Sequence, residues 1–285
     1  MALAKRLAAA SACALPAVAA AHTGGVSWDA APSDSLLVLV PLLAGSSLYL
    51  AGLTRRAAGA GLAKRQAAQA ASFGMAMVLL ATALVWPLDA WAELSFSAHM
   101  AQHMVLIVLA PLLLLLGRPG AVWLRGLPSN WRAAAASPRR WRGAAPVRRL
   151  AGSIAATSIL HGAVLWGWHL PAAFELALHN EGVHWLEHLT LLTAGMLFWR
   201  ALLRARGTAL GWGLAWMLVT IIHSGMLGAL ITLAPRPLYT VYLERGGVAD
   251  VLADQQLAGL IMWVPMGTVY LLAALAVAAR GLHGG

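Results

Sequence analysis

Long apolar runs separated by short polar stretches dominate this sequence. Seven of them, at about 35–53, 70–88, 98–116, 152–171, 184–203, 210–233 and 256–279, approach the roughly 20 residues an α-helix needs to cross a bilayer. The pattern predicts an all-α fold, a polytopic membrane bundle of about seven transmembrane helices forming one domain over residues 22–285. No repeat of convincing period breaks it into smaller units. Residues 1–21 read as a cleavable signal peptide: Lys5 and Arg6, a short Ala/Leu-rich core, then Ala19-Ala20-Ala21 as the cleavage site.

The polar stretches orient the bundle. One set of loops carries sixteen cations and no acid: Arg55, Arg56, Lys64 and Arg65, eight arginines between Arg118 and Arg149, Arg200, Arg204 and Arg206, and Arg280. The opposite set holds Arg236, Arg245 and all ten acids of the chain. Positive charge stays on the cytoplasmic side, so the mature N-terminus is expected in the periplasm and the C-terminus in the cytoplasm.

Composition changes this picture little. The chain is 60% apolar and 11% charged, as a multi-pass protein of the inner membrane should be. Its formal charge of +10 first suggests nucleic acid, but the charges lie in short topogenic loops, so the expected surface partner is the lipid bilayer. The single cysteine, Cys13, falls in the leader. The mature chain then has no thiol, which excludes disulfides, CxxC redox chemistry and a cysteine-based metal shuttle.

Histidine carries the candidate chemistry. His99 and His103 open the third apolar run, and His184 and His188 open the fifth in HWLEH. Each pair has i,i+4 spacing, which places two imidazoles on one helix face a turn apart. His169 closes the fourth run. On the expected topology these five converge at the periplasmic face, and none sits at a cytoplasmic span end. His223, with Met226 a turn further out, lies nearer the middle of the sixth run, and His161 lies deeper in the fourth. Imidazole within a membrane span is costly unless it has a partner or a task. A lone one often serves as an interhelical hydrogen-bond partner, whereas two pairs at one depth point to a metal or cofactor. Imidazole with thioether, without thiols or a dense carboxylate cage, suits Cu(I) better than Mg, Mn or Ca. Glu187 and Asp254 are placed to accept hydrogen bonds from ligating imidazoles. Other chemistries fit fragments of the pattern. HWLEH matches the inverted zinc-protease motif, HxxxH pairs occur in membrane di-iron oxygenases, and facing imidazoles can hold haem.

Five segments taken together resemble one family: HMAQHMVLIVLAPLLLLLGRP (99–119), WHLPAAFELAL (168–178), HWLEHLTLLTAGMLFW (184–199), HSGMLGALITLAPRPLY (223–239) and DQQLAGLIMWVP (254–265). In this order they resemble the polytopic CtaG family of cytochrome c oxidase assembly proteins, distinct from the single-span copper chaperone that shares the name. The resemblance implies a seven-helix inner-membrane protein that matures a haem–copper oxidase, with copper handling for the oxidase's dinuclear copper centre as its role. Carried over by position, the family's polar residues fall on His99, His103, His169, His184, Glu187, His188, His223 and Asp254. The expectation is therefore a non-enzymatic assembly factor. It would hold Cu(I) at a periplasmic-side site of His99, His103, His169, His184, His188, His223 and Met226, with Glu187 and Asp254 behind them. Its partners would be oxidase subunits or a periplasmic copper chaperone. A haem-binding membrane redox protein and a copper transporter are the alternatives.

Overall fold

The computed structural model describes residues 33–55, 60–136 and 145–282, and it holds helices and no strand among the described residues. The expected signal peptide, and Arg56, Arg139, Arg140 and Arg142 of the cationic loops, lie outside them. The chain divides into two compact units, Met1–Leu36 and Leu37–Gly285. Of the first, only the opening residues of a helix are described.

In chain order the helices are α1 (Ser33–Thr54), α2 (Ala60–Leu84), α3 (Leu88–Ala92) and α4 (Phe96–Met104). A π-helical segment, Val105–Leu109, joins α4 to α5 (Ala110–Gly117). Three short helices follow, α6 (Pro119–Gly126), α7 (Ser129–Ala136) and α8 (Ala145–Leu150), and then α9 (Ile154–Trp168) and α10 (Pro171–His179). The chain ends with α11 (Glu181–Arg204), α12 (Thr208–Leu233), α13 (Val241–Arg245) and α14 (Val251–Leu282).

Among the described residues, five helical stretches are long and apolar enough to cross a membrane: Leu36–Thr54, Ala63–Leu84, Phe96–Gly117, Thr208–Leu233 and Val251–Gly281. The protein is therefore a membrane protein. Two of the seven expected spans fall short of that standard, each for a physical reason. α9 has 15 residues, stopping at Trp168 ahead of Pro171. α11 has 24, but Glu181, His184, Glu187, His188, Arg200 and Arg204 lower its hydropathy. α2 also begins at Ala60 rather than near residue 70, because the helix-forming stretch AGLAKRQAAQ continues past the apolar run.

The expected third span is the centre of the molecule. In the most apolar 18-residue stretch of Phe96–Gly117, 61% of residues are buried, against 17–33% in the corresponding stretches of the other four. Those four leave Leu43, Val78, Leu230 and Leu272 exposed, one in each, as lipid-facing surfaces do. The π-helical turn in the third span follows from Pro111. Proline has no N–H to return to the carbonyl four residues back, and its ring crowds that carbonyl, which belongs to Ile107. Widening the helix relieves this, and the Ala110 N–H reaches back to the Val105 carbonyl instead. The Ile107 carbonyl faces Gly195 of α11, where a Cβ would also meet the Pro111 ring at 2.8 Å. Glycine at 195 is what lets α11 approach this turn. α12 and α14 meet in the same way, with a Cβ on Gly228 falling 2.9 Å from the Gly259 carbonyl.

On the cationic side, Arg55 donates to the carbonyls of Arg125, Gly126 and Leu127 at 3.1, 2.6 and 3.0 Å. It thereby satisfies the C-terminal end of α6 with a positive charge.

Candidate metal centre

Two helix N-termini build the site. α4 starts at Ser95, whose hydroxyl accepts the Ala98 N–H at 3.2 Å. Asp254, from the first turn of α14, accepts the N–H groups of Phe96 and Ser97 at 2.7 and 3.3 Å and the Ser95 hydroxyl at 2.9 Å. A carboxylate at a helix N-terminus satisfies unpaired donors and complements the helix dipole. One turn in, His99 and His103 sit with ring centroids 4.3 Å apart. α11 starts at Asn180, whose side chain accepts the Val183 N–H at 3.0 Å. It presents His184 and His188 with centroids 4.2 Å apart.

The two pairs face each other. His99 and His184 are 5.6 Å apart, and His103 and His188 are 6.0 Å apart, between ring centroids. The Glu187 carboxylate enters the same space. Its Oε1 lies 3.5 Å from His103 Nε2 and its Oε2 lies 3.9 Å from His99 Nε2. Ligand atoms of His99, His103 and Glu187 fall within 4.8 Å of one another, and so do those of His184, Glu187 and His188. His99, His103 and Glu187 are fully buried, His188 is 5% exposed, and His184 is partly exposed.

None of the facing atoms has a hydrogen-bond partner among the described residues. This holds for both ring nitrogens of His99 and His103, both oxygens of Glu187, and Nε2 of His184 and His188. A buried polar atom left unpaired costs about 1–3 kcal/mol, so eight such atoms in one place form an arrangement that neutral packing does not explain. A cation taking one lone pair from each ring and from the Glu187 carboxylate would relieve most of them, and an imidazole–carboxylate donor set fits a copper or zinc ion.

His169 adds a softer edge. Its ring lies 5.9 Å from that of His103. Its Nδ1 is 2.6 Å from the Leu165 carbonyl and its Nε2 is 3.2 Å from the sulfur of Met100. A neutral imidazole carries one N–H and cannot donate to both acceptors. With the proton on Nδ1 toward the carbonyl, the Nε2 lone pair lies beside the Met100 thioether, two donors of the kind a soft cation accepts.

Aromatic rings close over this end. Phe174 stacks edge-on with His99 at 5.0 Å and packs on Phe96 and Tyr239 at 5.3 and 4.3 Å. The Tyr239 hydroxyl donates to the His169 carbonyl at 2.9 Å, and burial pushes that phenol above its ordinary range, so it remains a donor. Tyr242 donates to the Ala92 carbonyl at 3.2 Å. Arg245 ties the carbonyls of Glu93 and Leu178 together at 2.7 and 2.9 Å.

The remaining expected residues lie elsewhere or act differently. Asp254 holds the start of α4 and not an imidazole. Glu187 stands among the rings rather than behind them. His223 accepts the Trp166 indole N–H at 3.4 Å and lies 6.3 Å from His161, whose Nε2 meets the Tyr270 hydroxyl at 2.8 Å. Met226 is 52% exposed on the outer face of α12. His179 is exposed, against its own helix carbonyl of Glu175. Met100, Phe174, Tyr239 and Tyr242 are not among the residues that the sequence pattern singles out. The only available signal was their nearness to WHLP and to the tyrosines after PRP.

Gln102 lies between the two histidines of α4 in sequence. It donates to the Ala83 carbonyl at 2.7 Å and to Asp89 at 2.8 Å. Burial raises the Asp89 carboxyl to about 6, the Gln102 hydrogen bond opposes the rise, and Glu93 adds to it.

The fold and the cluster define a multi-helix membrane protein with a buried imidazole–carboxylate group, closed at one end by aromatic rings. The model of the cytochrome c oxidase caa3 assembly factor family (Caa3_CtaG) matches residues 47–283, and the chain belongs to that family. No curated protein and no solved structure matches it.

Proposed function

We propose that this assembly factor holds Cu(I) in the His99, His103, His184, His188 and Glu187 group and passes it to a cytochrome c oxidase subunit or to a periplasmic copper chaperone. The observation that carries this reading is the set of buried imidazole nitrogens and carboxylate oxygens without hydrogen-bond partners, on side chains whose ligand atoms come within 4.8 Å of one another in two groups that share Glu187. Met100 and His169 supply the soft donors expected of a Cu(I) site. Met226, exposed on another face, leaves the ligand set, and His223 belongs to a separate pair with His161.

In this reading α9 and α11 cross the bilayer beside the five longer spans, giving seven. α9 is completed by residues 169–171, and the polar atoms of α11 face the bundle. The charge asymmetry of the loops places the cluster toward the periplasm of the inner membrane, after removal of residues 1–21. The protein does no chemistry on copper. It supplies ligands, an apolar roof that limits water, and exchange at the rim. Haem needs the space between facing imidazoles that the Glu187 carboxylate fills. A copper transporter needs ligands continuing to the cytoplasmic side, whereas the cluster collects at one end of its helices.

The test is anaerobic loading of detergent-purified protein with Cu(I), followed by elemental analysis and an absorption spectrum. Bound copper without a Soret band supports the reading. A Soret band in place of copper transfers the site to haem.

A further inference from the structure

We infer that Glu187 is the shared ligand of two adjoining ion positions that are filled one at a time. An inner position is formed by His99, His103 and Glu187, and an outer one by His184, His188 and Glu187. This inference rests on the copper reading and specifies how the same site works.

The geometry separates the imidazoles into pairs. Rings within a pair are 4.3 and 4.2 Å apart, whereas rings across the pairs are 5.6 and 6.0 Å apart. Each triplet brings its ligand atoms within 4.8 Å, and Glu187 belongs to both triplets. The two oxygens of Glu187 address different rings, Oε1 toward His103 and Oε2 toward His99. Both oxygens thus face the inner pair, while a carboxylate oxygen also lies within 4.8 Å of ligand atoms of His184 and His188, so the one carboxylate is in reach of either pair.

Charge decides between simultaneous and alternate filling. Glu187 is the one carboxylate in either triplet. Asp254 is engaged with the N-terminus of α4, and Asp89 with Gln102. One monovalent cation is compensated by this carboxylate, and Arg245, close enough to act on His99 and His184, adds a positive charge of its own that opposes a second. A second cation in the same buried space would be uncompensated and repelled at short range in a low dielectric.

The two positions also differ in access. The inner triplet is fully buried, while His184 of the outer triplet is partly exposed. An ion thus enters and leaves by the outer pair and is retained by the inner one, with Glu187 bonded to it at both ends of the step. No bond other than metal–ligand bonds changes, and the oxidation state is constant. Such a shared ligand lets a site bind firmly and still release, as an assembly factor must.

The experiment uses the full chain in detergent, with Cu(I) supplied anaerobically from a chelator-buffered solution. Copper content and the rate of loss to excess chelator are measured, and helix content is followed by circular dichroism. Wild type is expected to bind one copper. H184Q/H188Q should still bind one but load and release at least about tenfold more slowly, and H99Q/H103Q should bind one and lose it at least about tenfold faster. E187Q should weaken both positions. Two coppers per wild-type chain would overturn alternate filling. Loss of all copper from either folded pair variant would show a single joint four-histidine site and overturn the two-position arrangement, while leaving the copper reading in place. No copper on wild type would remove the copper reading itself.

Discussion

The Asp254 carboxylate accepts the backbone N–H of Phe96 at 2.7 Å, so the last helix of the chain holds the first turn of the helix that carries His99 and His103. Through this contact the C-terminal segment governs a site to which it contributes no ligand. Asp254→Ala removes charge-assisted hydrogen bonds to three donors and should cost about 1–3 kcal/mol. It should also raise copper loss by loosening α4. Asp254→Asn, which keeps one acceptor oxygen, should fall between. Thermal unfolding and copper retention measured on the same samples check both expectations.

Gly195 is expected to be intolerant of even one methyl group. A Cβ there would collide with the Ile107 carbonyl and lie 2.8 Å from Pro111. Gly195→Ala should therefore destabilise the protein by about 1–3 kcal/mol, the usual range for overpacking. Gly74 has open space around its Cβ direction, and Gly74→Ala should cost nothing or stabilise the helix slightly. Paired melting curves in detergent distinguish the two sites.

Asp89 gives stability a pH dependence of defined sign. Its folded pKa, about 6, lies above the ordinary value of 3.8, so the folded state holds the proton more tightly than the unfolded state. Its contribution is most favourable below about pH 4 and declines as pH rises through the window from 3.8 to about 6. Asp89→Asn should flatten that slope. At pH 7 it should raise stability by about 1 kcal/mol, discounted for partial exposure, or about 2–4 °C in Tm for a chain of this size. Melting curves between pH 4 and pH 8 for both proteins test this.

In cells, replacing His99 and His103 together should sharply lower maturation of the oxidase, because copper held at the outer pair alone is lost too fast, while the protein remains in the membrane at its normal level. Copper content of the purified oxidase and immunoblotting of membranes are the measurements. Normal oxidase copper in that variant would count heavily against the site.

What could be read from the sequence was depth along each helix. The i,i+4 pairs in SAHMAQHM and HWLEH were visible as imidazoles one turn apart, and the five span-end histidines do converge. What could not be read was rotation about each axis. Periodicity does not say that Met226 turns outward and Met100 inward. Nor does it say that Glu187 enters between the pairs while Asp254 reaches a neighbouring helix end. The π-helical turn at Val105–Leu109 shifts the phase of the third span partway along, so an ideal helical wheel misplaces whatever follows it. Its cause, Pro111, was in the sequence. Its consequence depended on Gly195 lying across from the Ile107 carbonyl, a contact between residues far apart in the chain. Span counting met a similar limit. The polar residues that α11 brings to the cluster also lower its hydropathy.

The most direct measurement is copper bound per chain after anaerobic Cu(I) loading, compared between wild type and a variant with His99, His103, His184 and His188 all changed to glutamine. If the cluster holds Cu(I), wild type binds one copper, the folded quadruple variant binds none, and neither shows a Soret band. Copper retained by the quadruple variant, or a wild-type chain that binds none, would contradict it.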